Sequence, residues 1–382
     1  MRVTRMSNER GIALAVAVFA LVVMGALVAG IFFAGRLEQQ SGQNAVYAAQ
    51  AAEAAEAGLS RAIAGQTSTA MLAMAVDPAG TPTLTTSTFG SNATYSTGVR
   101  RQTTDLWLVK SVGKRTNAAS GAIATRTLGQ LVRLNTANIS VAAGLTAIGR
   151  ITVTGNSTVS GRDATASAWT SPKVNCPTPV DKAGVKYNGT LSQQGSSVIN
   201  GSPASQSDPT LNSSNIFGGS NFAALKALRT LTLTGNVSGI GPVTTSAPVR
   251  CNASVQTNWG APTDTGSVCF DYFPIIYHNG DLSISGSGSG QGVLLVEGNL
   301  NVQGRIDFYG PVIVTGSVSI RGTGSDDIKF YGGVMAQDVT LDDSRLSGNA
   351  TVNYSSCAIQ RALQGSATVA GVNERSWLQL YE

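Results

Sequence analysis

The sequence predicts a mainly β chain with one long N-terminal α-helix, followed first by a small antiparallel sheet and then by a parallel β-helix. Three observations point there. An uncharged apolar run, Ile12 to Ala34, continues into an Ala/Glu-rich segment that contains no proline. Strand-like stretches occupy residues 93–134. From Gly280 onward a glycine-bounded template returns every 18 residues.

Taking the elements in order, about 20 apolar residues suffice to cross a bilayer as a helix, so the Ile12–Ala34 run can span one. Arg2, Arg5 and Arg10 precede it, which predicts a cytoplasmic amino end and a translocated body. An inner-membrane single pass with an exported body is the expected location. The Arg10-Gly11 pair lies at the cytoplasmic edge of the run, where cleavage after Gly11 would leave the whole helix on a chain beginning at Ile12. Beyond the membrane the segment to about Ile63 is rich in Ala, Glu and Gln, all good helix formers. One continuous helix would be roughly 75–80 Å long at ~1.5 Å per residue. Ala26, Gly30 and Ala34 recur every four residues and share a helix face, where small side chains let another helix approach. An ordinary single-span anchor is the plainer alternative.

Gly11 before the apolar run, together with the Ala/Glu-rich stretch that ends at Leu59, resembles the PilX-like minor pilins of type IV pili over roughly residues 8–62. The resemblance implies a prepilin leader at 1–11 and a transmembrane and spine helix at 12–64. It also implies cleavage by prepilin peptidase between Gly11 and Ile12, methylation of the new terminus, and other pilins as partners. Major pilins carry a glutamate at the fifth mature position, whereas this chain has Val16, which fits a minor subunit better than a bulk one. A pilin-like helix packed on an antiparallel sheet is the fold implied for residues up to 138.

Residues 65–92, with Pro78 and Pro82, read as a loop. Ala93–Arg101, Thr104–Val112 and Ala122–Leu134 then read as an antiparallel meander, with Trp107 and Leu108 expected to face the helix. After about residue 138 the template G-x-Φ-x-Φ-x-G appears at Gly280–Gly286, Gly298–Gly304 and Gly316–Gly322. A short fixed period with alternating apolar residues marks a β-solenoid. Leu282/Ile284, Leu300/Val302 and Val318/Ile320 should stack as inward columns. Weaker copies begin at Gly149 and Leu231, and a further one falls at Val339–Leu341. The β-helix is expected over 139–382, with a long irregular insertion at about 162–222 where prolines cluster. Asn221–Leu228 reads as two helical turns capping an end, and Arg375–Glu382 as a closing strand.

Composition limits the chemistry. Charged residues make up 12% of the chain, about half the usual share. Of the net +5, the residues before Ile12 supply +2, too little remaining charge to argue for nucleic acid. The single histidine, His278, argues against a zinc site or a His-based triad, and no cofactor is expected. Four cysteines in an exported body point to two disulfides: Cys251 with Cys269 across a turn-rich loop, and by elimination Cys176 with Cys357. Asp326/Asp327 and Asp342/Asp343 lie close to one coil apart, so they could meet on one edge, beside Arg345, as a calcium or sugar site. Phe308-Tyr309 and Phe330-Tyr331, each before a glycine, should stack on adjacent coils. The reading is a non-enzymatic minor pilin-like component used in assembly, capping or adhesion, with surface polysaccharide as a possible partner. The alternative is a membrane-tethered carbohydrate-active β-helix enzyme.

Overall fold

The computed structural model describes residues 9–103, 105–117, 121–166, 169, 176–322, 327–336, 343–347, 349–372 and 377–380. Most of the leader, Asp326, Asp342 and the copy expected at Val339–Leu341 lie outside these residues. The chain divides into two units. One comprises Met1–Gln66, Met74–Arg133 and Gly371–Glu382, the other Thr67–Ala73 and Leu134–Ala370.

In the first unit, α1 runs unbroken from Glu9 to Ala64. Its outer part is amphipathic: Ala51, Ala54, Ala55 and Leu59, spaced three and four apart, are fully buried. They pack against an antiparallel sheet of β1 (Thr85–Phe89), β2 (Ala93–Arg101), β3 (Leu106–Asn117) and β4 (Gly121–Asn135), paired in that order. Gly113 lets the helix close on the sheet, because a Cβ there would overlap the backbone of Ala51 and Ala55. Arg115 Nε donates to Gln50 Oε1 at 2.7 Å, and Arg61 Nη1 donates to the Tyr95 hydroxyl at 2.9 Å.

Two details differ from expectation. Trp107 is buried, but Leu108 is only half-buried and points the other way, because strand neighbours alternate faces. The sheet also has more strands than the three expected. Thr85–Phe89 is a mostly exposed Thr/Ser edge without apolar alternation, and Trp377–Leu380 pairs antiparallel with β4. The closing strand therefore belongs to the antiparallel unit and not to the 139–382 region in which it was expected.

The second unit is one 18-stranded, curled parallel sheet. In chain order its strands are β5 (Ala143–Ala147), β6 (Arg150–Val153), β7 (Thr158–Ser160), β8 (Ala183–Tyr187), β9 (Leu191–Gln193), β10 (Val198–Asn200), β11 (Ser205–Ser207), β12 (Leu231–Leu233) and β13 (Val237–Ile240). Then follow β14 (Ile275–Asn279), β15 (Leu282–Gln291), β16 (Val293–Glu297), β17 (Leu300–Gln303), β18 (Arg305–Val314), β19 (Val318–Arg321), β20 (Ile328–Ala336), β21 (Asp343–Ser347) and β22 (Ala350–Tyr354). Leu282, Leu300 and Val318 are in register, as are Ile284, Val302 and Ile320, and all are buried. Corner residues bond across the same offset: Asp281 Oδ1 accepts from the Asn299 backbone N–H at 2.8 Å, and Asn299 Oδ1 from that of Ser317 at 2.9 Å. Gly304 turns one corner at φ +102°, where a side chain would strike the Gly286 carbonyl.

The strands are stacked out of sequence order. Arg150–Val153 does not lie beside the Leu231 copy; it pairs with β21, while β7 pairs with β22 and β5 with β20. The chain thus enters at the middle and builds outward through β8–β11. It then restarts at the far end with β12 and β13 and returns strand by strand to its entry point. The 162–222 stretch, expected to be irregular, carries β8 to β11.

Two short helices and one longer one complete this unit: α2 (Ser68–Ala73), α3 (Phe222–Ala227) and α4 (Ser356–Gly365). The Asn221 side chain caps α3 by accepting from the Ala224 N–H at 2.8 Å. This helix is not an end cap. Its Leu225 joins a second core with the outward residues Tyr277, Val293, Leu295 and Ile313, which α4 covers with Ile359 and Ala362. Strands β14, β16 and β18 are therefore buried on both faces, which is why they read as continuous apolar runs.

Candidate functional site

The most distinctive surface belongs to the inner half of α1. Leu14 is 68% exposed and Ile31 71%, and Phe19, Leu21, Met24, Leu27 and Phe32 are comparably bare. Apolar residues cover every side of this half, not one stripe, so no single protein face could shield it from water. A helix apolar all round suits a membrane span or the interior of a helical bundle. The segment is long and apolar enough to cross a bilayer. A Cβ at Gly30 would meet nothing, so the Ala26–Gly30–Ala34 face is open to a neighbouring helix. Gly11 and Ile12 lie within α1, two and three residues beyond its start at Glu9.

Of the acidic quartet in the parallel unit, Asp326 and Asp342 lie outside the described residues. Asp327 pairs with Lys329 at 3.5 Å, and the backbone of Asp343 pairs in register with Arg150. Nearby Asp307 is pushed up by burial, against the pull of Lys329 and Arg305. Asp307 lies in register with Lys329 on the neighbouring strand. Among the described residues no group of three His, Cys, Asp or Glu could hold a metal. His278 is buried, its two ring nitrogens facing the Leu233 and Asp281 carbonyls at 3.3 and 3.1 Å.

Of the aromatic pairs, Phe308, Tyr309 and Phe330 are buried and Tyr331 is partly buried. Tyr309 is covered by Trp169 at 5.1 Å between ring centroids, and Phe308 is enclosed between Trp259 and Phe330. Both disulfides are formed, with Cα separations of 4.9 Å for Cys251–Cys269 and 4.8 Å for Cys176–Cys357. These lie within the range a disulfide spans without moving backbone.

Sequence reasoning missed two features here. Arg361 of α4 lies over Trp169, Phe270 and Phe273, 4.4 to 4.9 Å from each ring centroid, and burial lowers its pKa to about 10. An open groove of about 470 Å³ lies beside α4, lined by Ile139, Val141, Lys182, Tyr354, Gln360 and Gln364 among others. The signal for α4 was present: Ser355 as N-cap, then apolar Cys357, Ala358, Ile359 and Ala362 at helical spacing.

No family model, no curated protein and no solved structure matches the chain at a significant level.

Proposed function

We propose that the chain is a minor pilin-like structural subunit of a type IV pilus or related filament, and that its curled parallel sheet is a parallel β-helix displayed outside the membrane. The observation that carries the reading is the division of α1. Its first half is bare and apolar on every side, while its second half buries Ala51, Ala55 and Leu59 under an antiparallel sheet. One helix is thus built for two media, first lipid or neighbouring helices, then a protein sheet. The 18-residue register and the inward columns support the β-helix. The Gly11–Ile12 junction supplies the cleavage point, prepilin peptidase and other pilins are the partners, and Val16 fits a subunit that caps or decorates. The displayed sheet would serve assembly, capping or surface adhesion, with polysaccharide as a candidate ligand for the last.

Mass spectrometry of the cell-derived protein tests this. The expected amino terminus is a methylated Ile12. An intact Met1 terminus in a strain with active prepilin peptidase would leave only a plain membrane anchor.

A further inference from the structure

The two ends of the parallel sheet are finished differently. At the β12–β13 end, Leu231, Leu233, Val237 and Ile240 are all buried. The segment between Ile240 and Ile275 seals them: Trp259 is buried against Phe308, Gln256 Oε1 takes the Thr234 N–H at 3.0 Å, and Cys251–Cys269 fastens the segment to itself. Among the described residues, the opposite end has no such cover. There β9, β10 and β11 each pair on one side only, with β6, β7 and β8. Tyr187, Leu191 and Ile199 remain partly exposed over the main core, and Val198 is 43% exposed.

Edge strands are normally blunted by charge or proline because free N–H and C=O groups recruit other strands. The nine residues of β9, β10 and β11 (LSQ, VIN, SQS) include neither. Three short edges on successive sides of one coil also restrict the partner. A single extended peptide can pair with one of them, whereas another coil end presents three at the same spacing. The sealed end of a second copy cannot serve, so the match is like end to like end. Such a contact is isologous and closes as a two-fold dimer. Uncharged edges meeting across that axis bring no like charges together.

We propose that the β9–β11 end is an interface between two copies of this chain, paired edge to edge about a two-fold axis. The three-sided arrangement of its edges rests on the β-helix reading given above.

Both disulfides occupy all four native cysteines, so an introduced cysteine is the only thiol available to a cross-linker. Full-length protein in membranes carrying Gln206→Cys is treated with a short bis-maleimide, beside Ser254→Cys at the sealed end. The expected result is a covalent dimer at Gln206→Cys and little at Ser254→Cys. Adding Val198→Lys, an exposed position on β10, places an ammonium group within the paired edge. It should lower the Gln206→Cys yield about tenfold, equivalent to roughly 1.4 kcal/mol, with the melting temperature unchanged. Equal yields at both sites, as association through α1 alone would give, would overturn the proposal. So would absence of dimer, or yields indifferent to Val198→Lys. The melting of Val302→Asp tests the β-helix separately, so loss of the dimer with that destabilisation intact counts against the interface alone.

Discussion

Tyr309 and Tyr331 stack face to face, their ring centroids 4.8 Å apart and their planes 7° from parallel, although 22 positions and not 18 separate them. Val302 and Ile320 are in register at the regular offset, and so are Asp307 and Lys329 at the longer one. The four extra positions therefore fall in the sequence between β19 and β20, and the ladder resumes in β20. Placed between strands, the insertion leaves the β18–β20 register unbroken from Asp307–Lys329 to Val314–Ala336.

From this stack follows the first prediction. Tyr309 is buried between Tyr331 and Trp169, so Tyr309→Ala opens a cavity that rigid parallel strands cannot close. Truncating a buried aromatic costs about 3–5 kcal/mol. Denaturant melts followed by near-ultraviolet circular dichroism should show that loss. A cost below about 1 kcal/mol would mean that the ring is not enclosed as described.

The second prediction concerns pH. Glu297 accepts from Lys226 Nζ at 2.5 Å and from the Tyr277 hydroxyl, tying α3 to β16. The lysine first, then the tyrosine, holds this carboxyl below the usual glutamate range, while Glu297 first, then Tyr277, raises Lys226. A depressed carboxyl contributes stability that is complete above its unfolded pKa and is lost as pH falls through the folded value. The site is partly exposed, so the effect is small and salt-sensitive. Wild type should therefore melt above Glu297→Gln at pH 7, and the gap should close on acidification below the ordinary glutamate range. A gap that widens in acid would reverse the sign.

Much of this arrangement is legible in the sequence, and the reasons are local. The template at Gly280, Gly298 and Gly316 gives register directly, since strand side chains alternate and the offset is constant. Its second position, Asp281, Asn299 then Ser317, also encodes the corner bonds, although their use is visible only in the structure. What escapes is non-local. Nothing in Arg150–Val153 states that its partner is β21 and not β12. Strands β9, β10 and β11 escape because three-residue stretches rich in Ser, Gln and Asn show no apolar alternation. For the acidic quartet, spacing suggests proximity, but Asp326 and Asp342 lie outside the described residues, and the described Asp327 pairs with Lys329.

The disulfides give the third prediction. In the chain-entropy account, Cys251–Cys269 stabilises by about 3 kcal/mol and the longer Cys176–Cys357 closure by about 5. Cys251→Ser should also loosen the seal around Trp259, whose indole Nε1 donates to the Gln256 carbonyl at 2.8 Å. Tryptophan emission should then shift to the red before global unfolding. Peptide mapping under non-reducing conditions should recover both pairs from the cell-derived protein; four free thiols would contradict them.

The sharpest prediction compares two neighbouring residues of β17. Val302 is completely buried between Ile284 on one side and Ile320 on the other, within a column of apolar side chains that offers no polar partner. Gln303, the next residue, is exposed because the strand alternates faces. A carboxylate at 302 would be stranded without a counter-charge, at a cost of several kcal/mol after relaxation. That is a large share of a domain's net stability of about 5–15 kcal/mol. At 303 the same group would face water, and a surface change of this kind stays within about 0.5 kcal/mol. Val302→Asp should therefore unfold or severely destabilise the parallel unit, while Gln303→Asp melts like the parent protein. Thermal melting of the two full-length variants, side by side, measures the difference. Equal melting temperatures would mean that this strand does not line an interior, and the 18-residue register would then lose its physical basis.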